Sequence, residues 1–188
     1  KNKKTQILEA AAILFRDKGY SATSMRDLAS VVDLKASSLY NHIKSKQEIL
    51  REICFDNANR FIQEMNEVEA LDIKADQKVK TLILMHVDIA INDVTSVTAF
   101  NDEWRHLDEP HLSNFLELRK DYELRFRNII DQGMEMGLLR KMESSIMLYT
   151  IFSSLRWVHD WFKPNKRIDQ NELKRQLTEM LMNGILKQ

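Results

Sequence analysis

The sequence predicts an all-α protein of about nine helices, with a small three-helix unit over residues 1–48 and a larger helical domain over residues 49–188. Three observations lead there. Four glycines and two prolines in 188 residues leave few breakpoints. Apolar residues recur at three- and four-residue spacing through most of the chain. Residues that start and stop helices sit at the ends of these periodic runs. A hydrophobic content of 44% over this length supports a real core and excludes a disordered chain.

The elements follow in order. Thr5 to Lys18 repeats Ile7, Ala11, Leu14 and Phe15 on one face and stops at Gly19, whose left-handed freedom suits a helix end. Ser24 is an N-cap with Asp27 three residues on; Leu28 and Ala29 form the buried side of a short helix reaching about Val31. Asp33 marks a turn. A second short helix from Lys35 to about His42 carries Leu39 and Ile43 inward. Ser45 caps a long helix to about Glu67, with Ile49, Ile53, Ala58 or Phe61, and Met65 along one side. Asp76 to about Asn92 places Val79, Ile83, His86 and Ala90 at helical spacing, and Thr95 to Trp104 reads as a shorter helix. Pro110 opens a helix to Met136, with Phe115, Leu118, Tyr122, Phe126, Ile129 and Gly133 on one face, and Gly137 ends it. Ser144 to Phe162 and Asp169 to about Leu186 complete the set, separated near Pro164. No repeat, low-complexity tract or strand pattern stands out.

The most informative stretch is Thr23 to Lys46, TSMRDLASVVDLKASSLYNHIKSK: two short helices around a tight turn, followed at once by a third helix start. Such a unit presents one helix to a DNA groove. With Leu39 and Ile43 inward, Lys35, Ala36, Ser38, Asn41 and His42 fall on the other side. Small residues let a helix approach base edges, while hydroxyl, amide and imidazole groups supply donors and acceptors for phosphates and bases. Lys46 in the first turn of the Ser45-capped helix lies beside exposed backbone N–H groups, together an anion site. The net charge is formally zero, yet residues 1–50 hold nine Lys or Arg against five Asp or Glu. The basic excess falls where a nucleic-acid footprint belongs.

Thr5, Ile7, Leu8, Ala11, Phe15, Gly19, Tyr20, Thr23, Leu28, Ala29, Leu39, Tyr40, His42, Ser45, Lys46 and Leu50 together resemble the N-terminal domain of the TetR/AcrR family of bacterial transcriptional regulators, the LYNHIKSK run most specifically. The resemblance implies a homodimer whose first three helices bind double-stranded operator DNA, with the remaining helices forming a ligand-binding and dimerisation domain. It implies phosphate contacts from Tyr40, His42 and Lys46, and base or backbone contacts from Met25, Arg26, Lys35, Ala36, Ser37, Ser38 and Asn41. Two positions depart from the family pattern: Asp33 stands where a turn glycine is common, and Ser37 is the small residue ahead of the Leu39–Tyr40 pair. Asp tolerates a left-handed turn conformation.

The last two long helices bear on assembly. Leu148, Ile151, Leu155, Val158 and Phe162 form one stripe, and Leu173, Leu177, Met180, Leu181 and Ile185 another. From pattern alone these either close the core of a monomer or meet a second copy; the resemblance implies the latter, as a four-helix bundle. His86, Phe100, Trp104, Tyr122, Phe126 and Trp157 lie on faces expected to converge, either as plain core or as an apolar effector cavity with a few polar groups. The WVHDWF run and the RKDYELRFRNIIDQGMEMGLLR segment resemble family members that sense fatty acids or acyl-CoA thioesters. On that resemblance Arg105, Arg119 or Arg156 meets a carboxylate or CoA phosphate. Arg119 with Glu123 four residues on is equally a solvated helix pair.

Other chemistries find little support. His106, Asp108, Glu109 and His111 crowd one loop, but five residues from histidine to histidine in a proline-bearing segment fix no metal geometry, and a solvated loop is the expectation. No nucleophile motif or phosphate-cradling glycine loop occurs, so neither an enzyme nor a cofactor is expected. Cys54 is the single cysteine, which rules out an intrachain disulfide and suits a reducing cytoplasm. No secretory signal or membrane-length apolar run is visible. Because the chain opens on Lys1 rather than methionine, further residues are expected ahead of it. Two functions of different class remain: a repressor released from its operator by a small hydrophobic effector, and a helical lipid- or acyl-binding module without operator binding.

Overall fold

A computed structural model describes residues 2–93, 95, 103–162 and 168–187, apart from the side chain of Asp160. Helices dominate: α1 Lys3–Lys18, α2 Met25–Val31, α3 Ala36–Leu39, α4 Lys46–Ala70, α5 Ala75–Asn92, α6 His111–Glu135, α7 Ser144–Arg156, α8 Val158–Trp161 and α9 Gln170–Ile185, with a 3-10 turn at Glu103–His106. Among the described residues the β content is one isolated antiparallel bridge, Leu139 to Leu186. The helix expected over Thr95 to Trp104 lies largely outside the described residues. Packing divides the chain into two compact units, residues 1–60 with 93–118, and residues 61–92 with 119–188. That division follows packing; it is distinct from the functional border read at residue 48.

In the first unit, local chemistry sets the helix ends. Asn2 accepts from the backbone N–H groups of Lys4 (2.6 Å) and Thr5 (3.3 Å), so α1 starts two residues earlier than its apolar period. Gly19, at φ +83°, ends it and donates its N–H to the Phe15 carbonyl. Ser24 and Asp27 form a reciprocal capping box at α2: Ser24 Oγ accepts from Asp27 N (3.1 Å) and Asp27 Oδ2 from Ser24 N (2.8 Å). After α2 the chain turns through Asp33 at φ +52°, the left-handed conformation that Asp tolerates. α3 is shorter than the expected Lys35–His42 run. The backbone beyond Leu39 tightens instead, Asn41 N–H donating to the Ser38 carbonyl and His42 N–H to the Leu39 carbonyl. Ser45 Oγ then accepts from Glu48 N (3.1 Å), capping α4.

The core of this unit joins Ile7, Phe15, Leu28, Leu39, Ile43, Ile49, Leu50 and Ile53 with Trp104, Leu107 and Phe115, which arrive from much later in the chain.

In the second unit α5 is the central element. It buries Val79, Leu82, Ile83, His86, Val87 and Ala90 and packs against α7, α8 and α9. Of the two apolar stripes, Leu148, Ile151, Leu155 and Val158 are buried within this unit, as are Leu173, Leu177, Leu181 and Ile185, while Phe162 is half-buried. Met180 departs from its stripe, 69% exposed. Helix Ser144–Phe162 is interrupted at Trp157, dividing it into α7 and α8.

α6 ends where Gly137, at φ +70°, lets the Gly133 carbonyl accept from Leu138 N (2.9 Å) and Leu139 N (3.0 Å). This return packs the buried Leu139 onto Gly133, where an added Cβ would stand 2.7 Å from Leu139 Cδ1 and 2.8 Å from its Cγ. Gly133→Ala is therefore expected to destabilise the protein by about 1–3 kcal/mol through overpacking, despite alanine's better helix propensity. Urea unfolding checks it; an equal or raised midpoint would show that Leu139 repacks freely.

Candidate nucleic-acid interface and buried polar site

The exposed face of the first unit is built on two apolar anchors. Leu39 is fully buried and Ile43 nearly so, and this burial turns the rest of α3 and its following turn outward. Lys35, Ala36, Ser37, Tyr40, Asn41 and His42 are exposed, Tyr40 by 50%, while Ser38 is half-buried. Most of the residues singled out by sequence therefore share one short surface segment. On α2, Arg26 is exposed, whereas Met25 is half-buried and packs against the core, so part of its side chain is directed inward.

Lys46 stands in the first turn of α4, and its side chain reaches the α1–α2 loop. Its ammonium donates to the backbone carbonyls of Tyr20 (2.7 Å) and Thr23 (2.8 Å) and lies 4.2 Å from the centre of the Tyr20 ring. Two of its three N–H groups therefore tie the α1–α2 loop to the first turn of α4. The face includes cationic, hydroxyl and amide groups on a small-residue helix, which is chemistry for phosphates and base edges.

The second unit contains a buried polar pair. His86 Nε2 and Tyr122 Oη are 2.8 Å apart, and both residues are at least nine-tenths buried. Three phenylalanines enclose the pair: Phe61 and Phe152 lie 4.8 and 5.3 Å from the His86 ring, and Phe126 lies 6.2 Å from Tyr122. Burial drives the His86 pKa down to about 3 and the Tyr122 pKa well above its ordinary value. The pair is thus uncharged at neutral pH, and it offers a hydrogen-bond donor and acceptor inside an aromatic shell.

His86, Tyr122 and Phe126 are brought together as expected. Phe152 carries no signal in the sequence, because it falls beside Ile151 and outside the apolar stripe of α7; Phe61 is legible only as an alternative to Ala58. Trp104 belongs to the core of the other unit, against Phe115 at 5.9 Å with the Arg105 guanidinium 4.8 Å from its ring. Trp157 is 42% exposed and meets Trp161 edge-on, and Phe100 lies outside the described residues. Arg119 reaches Glu123, 3.6 Å away and one turn on, which is the solvated-pair arrangement.

The loop histidines go separate ways. His106 stacks on Tyr20 and His111 meets Phe55 edge-on, and among the described residues no group of three potential ligands could hold a metal. Burial, reinforced by the Glu103 charge, pushes the Cys54 thiol up to about 12, so it stays protonated within the core. Among the described residues no helix is long and apolar enough to cross a membrane.

Comparison with known proteins matches residues 7–53 to the model for bacterial regulatory proteins of the tetR family, and residues 72–185 to the model for the tetracyclin repressor-like C-terminal domain. The chain is 23% identical to the HTH-type transcriptional repressor KstR2 of Mycolicibacterium smegmatis, over 98% of this chain and 91% of that protein. The solved structure of the ketosteroid transcriptional regulator KstR2 of Mycobacterium tuberculosis superposes with a TM-score of 0.91 at 20% identity, covering 100% of this chain and 97% of the other. AibR, solved in complex with isovaleryl coenzyme A and operator DNA, gives a TM-score of 0.82 at 21% identity, covering 96% and 98%.

The neutral His86 has a consequence for pH. In the unfolded chain this imidazole takes up a proton near its ordinary pKa of about 6.5, whereas the folded protein resists doing so down to about 3. The share of stability that depends on a neutral His86 is therefore full above about pH 6.5 and is lost as pH falls from there toward about 3. Urea titrations between pH 7 and 4.5 are expected to show the wild type losing stability more steeply than His86→Phe, the difference approaching about 1.4 kcal/mol per pH unit. Parallel curves would mean that His86 is charged or solvated in the fold.

Proposed function

The chain belongs to the tetR family of bacterial regulatory proteins, and from that premise we propose that it is a ligand-responsive transcriptional repressor, released from operator DNA by a small hydrophobic effector such as a fatty acid or acyl-CoA. The observation that carries the DNA half is the polar, small-residue surface of α3, held outward by Leu39 and Ile43. Tyr40 and His42 meet phosphates; Lys35, Ala36, Ser37, Ser38 and Asn41 face base edges or backbone, with Arg26 and Met25 beside them. The third N–H of Lys46 is left for a phosphate. The functional border at residue 48 belongs to the same reading, as does a cytoplasmic location.

Two copies are needed to read a two-fold operator, whose half-sites lie one turn, roughly 34–36 Å, apart. The outer face of α7 suits that contact. Ser145, Ile146, Tyr149, Thr150, Ser153 and Ser154 line an open groove there, combining small residues with exposed apolar ones. Met180 on α9 is a further exposed apolar residue on the last two helices. A homodimer would thus use the side of α7 opposite its buried stripe.

The effector half rests on the His86–Tyr122 pair and its aromatic shell, an apolar environment with one oriented polar handle. The AibR complex with isovaleryl coenzyme A supports an acyl-CoA class of ligand. For release, the effector must bind the DNA-free form more tightly than the DNA-competent one, since equal affinity shifts no equilibrium.

A gel shift with the promoter of the protein's own gene tests the reading directly; absence of any specific shift from a dimeric preparation would overturn it. Lys46→Ala is expected to weaken binding to all sequences alike and to reduce the slope of log affinity against log salt by about 0.9, the share of one phosphate. An unchanged slope would assign Lys46 to loop anchoring alone. Lys35→Ala and Asn41→Ala are expected instead to change the preferred sequence, with about 1–3 kcal/mol of discrimination removed at each base they read. Selection from a random library that returned the wild-type motif for both would remove them from the base-reading set.

A further inference from the structure

One cluster in the first unit shares only Lys46 with the DNA-reading face and nothing with the buried pair. It centres on Tyr20, in the loop between α1 and α2, four residues before the Ser24 cap. The Tyr20 ring is buried and edge-on to Phe15 at 5.2 Å. Lys46 covers it at 4.2 Å, and the His106 imidazole stacks on it at 5.1 Å with 19° between planes.

The backbone of Tyr20 is held from two directions. Its carbonyl accepts from Lys46, while its N–H donates to the Glu103 carboxylate at 3.0 Å, across 83 residues of chain. Gln47, next to Lys46, closes the arrangement: its Nε2 donates to the His106 carbonyl (2.6 Å) and its Oε1 accepts from Asp108 N (3.3 Å). Glu103 and His106 are themselves 3.8 Å apart. Segment 103–108 is therefore fastened both to the loop that leads into α2 and to the first turn of α4.

We propose that residues 103–108 form a clasp on the DNA-reading unit, closed across the Tyr20 ring, and that His106, Glu103 and Gln47 are positioning residues for operator binding. The proposal rests on the DNA-binding reading and adds positioning residues to it. Its physical logic is local. The start of α2 and the packing beneath α3 inherit their placement from a loop whose N–H, carbonyl and ring are all gripped. Opening the clasp frees the loop without removing any group that faces DNA. In chain order the clasp segment lies between α5, which carries His86, and α6, which carries Tyr122. The covalent chain thus joins it on either side to a helix bearing one half of the polar pair.

The test uses the full-length protein, its own promoter fragment and fluorescence anisotropy over a range of salt. His106 is 45% exposed, so His106→Ala should fold. The variant is expected to bind between about two- and tenfold more weakly, the scale of one stacked ring pair, with its salt slope unchanged because every group facing a phosphate is kept. His106→Phe, which keeps a ring over Tyr20, is expected to restore affinity. Glu103→Ala is expected to speed hydrogen exchange at the Tyr20 amide while the amides of the second unit keep their protection.

Wild-type affinity in His106→Ala would overturn the clasp while leaving the DNA-binding function standing. So would a weakened affinity that His106→Phe fails to rescue. A wild-type protein that binds no fragment would overturn the function and the clasp's role together.

Discussion

A helix of four residues cannot hold itself in place. Nucleating a helical turn costs more than one or two hydrogen bonds return, so α3 has no stability of its own, and its orientation depends on two side chains driven into the core below it. Leu39 and Ile43 supply that anchorage, and burial of a side chain of this size contributes about 1.5–3 kcal/mol. The polar groups of α3 and the turn after it are placed by these two apolar ones. The chemistry that faces outward is thus a consequence of the packing that faces inward.

That packing is not completed by the first three helices. A segment of roughly fifty residues buries too small a fraction of its surface for a secure core. Here Trp104, Leu107 and Phe115 fill the deficit, and the polar contacts around Tyr20 arrive on the same segment. Core completion and backbone anchoring therefore come from one stretch of chain. The division drawn by packing therefore differs from the border at residue 48 that the sequence suggests.

The second unit assigns two jobs to single helices. α7 carries Leu148, Ile151 and Leu155 inward and leaves Ile146 and Tyr149 at the surface, so it is apolar on more than one side. A helix that served only its own core would have a polar outer face. The buried stripe belongs to the unit's core, and Ile146 and Tyr149 lie outside it. The His86–Tyr122 pair shows a similar economy. Each partner satisfies the other in a place where an unpaired polar group costs about 1–3 kcal/mol, and neutrality follows from the same burial.

How much of this was legible in sequence depends on the range of the interaction. Ser24 with Asp27, Ser45 with Glu48, Gly19, Asp33 and Gly137 act within about four or five residues, and each does in the fold what its residue type and spacing imply. The all-α class and the helix–turn–helix pattern follow from such short-range rules together with the apolar period. The placement of Lys46 on two carbonyls, of Trp104 in the N-terminal core, of Phe152 beside His86 and of Met180 at the surface carries no local signature. A period says that a face is apolar, but not whether its own chain or another molecule covers it. Sequence alone determined the helices with a strong apolar period and the caps beside them, because those free energies are local, whereas the short α3 and the break at Trp157 departed from it. Only the tertiary structure decided which side chains share an environment, because that depends on contacts between residues tens of positions apart.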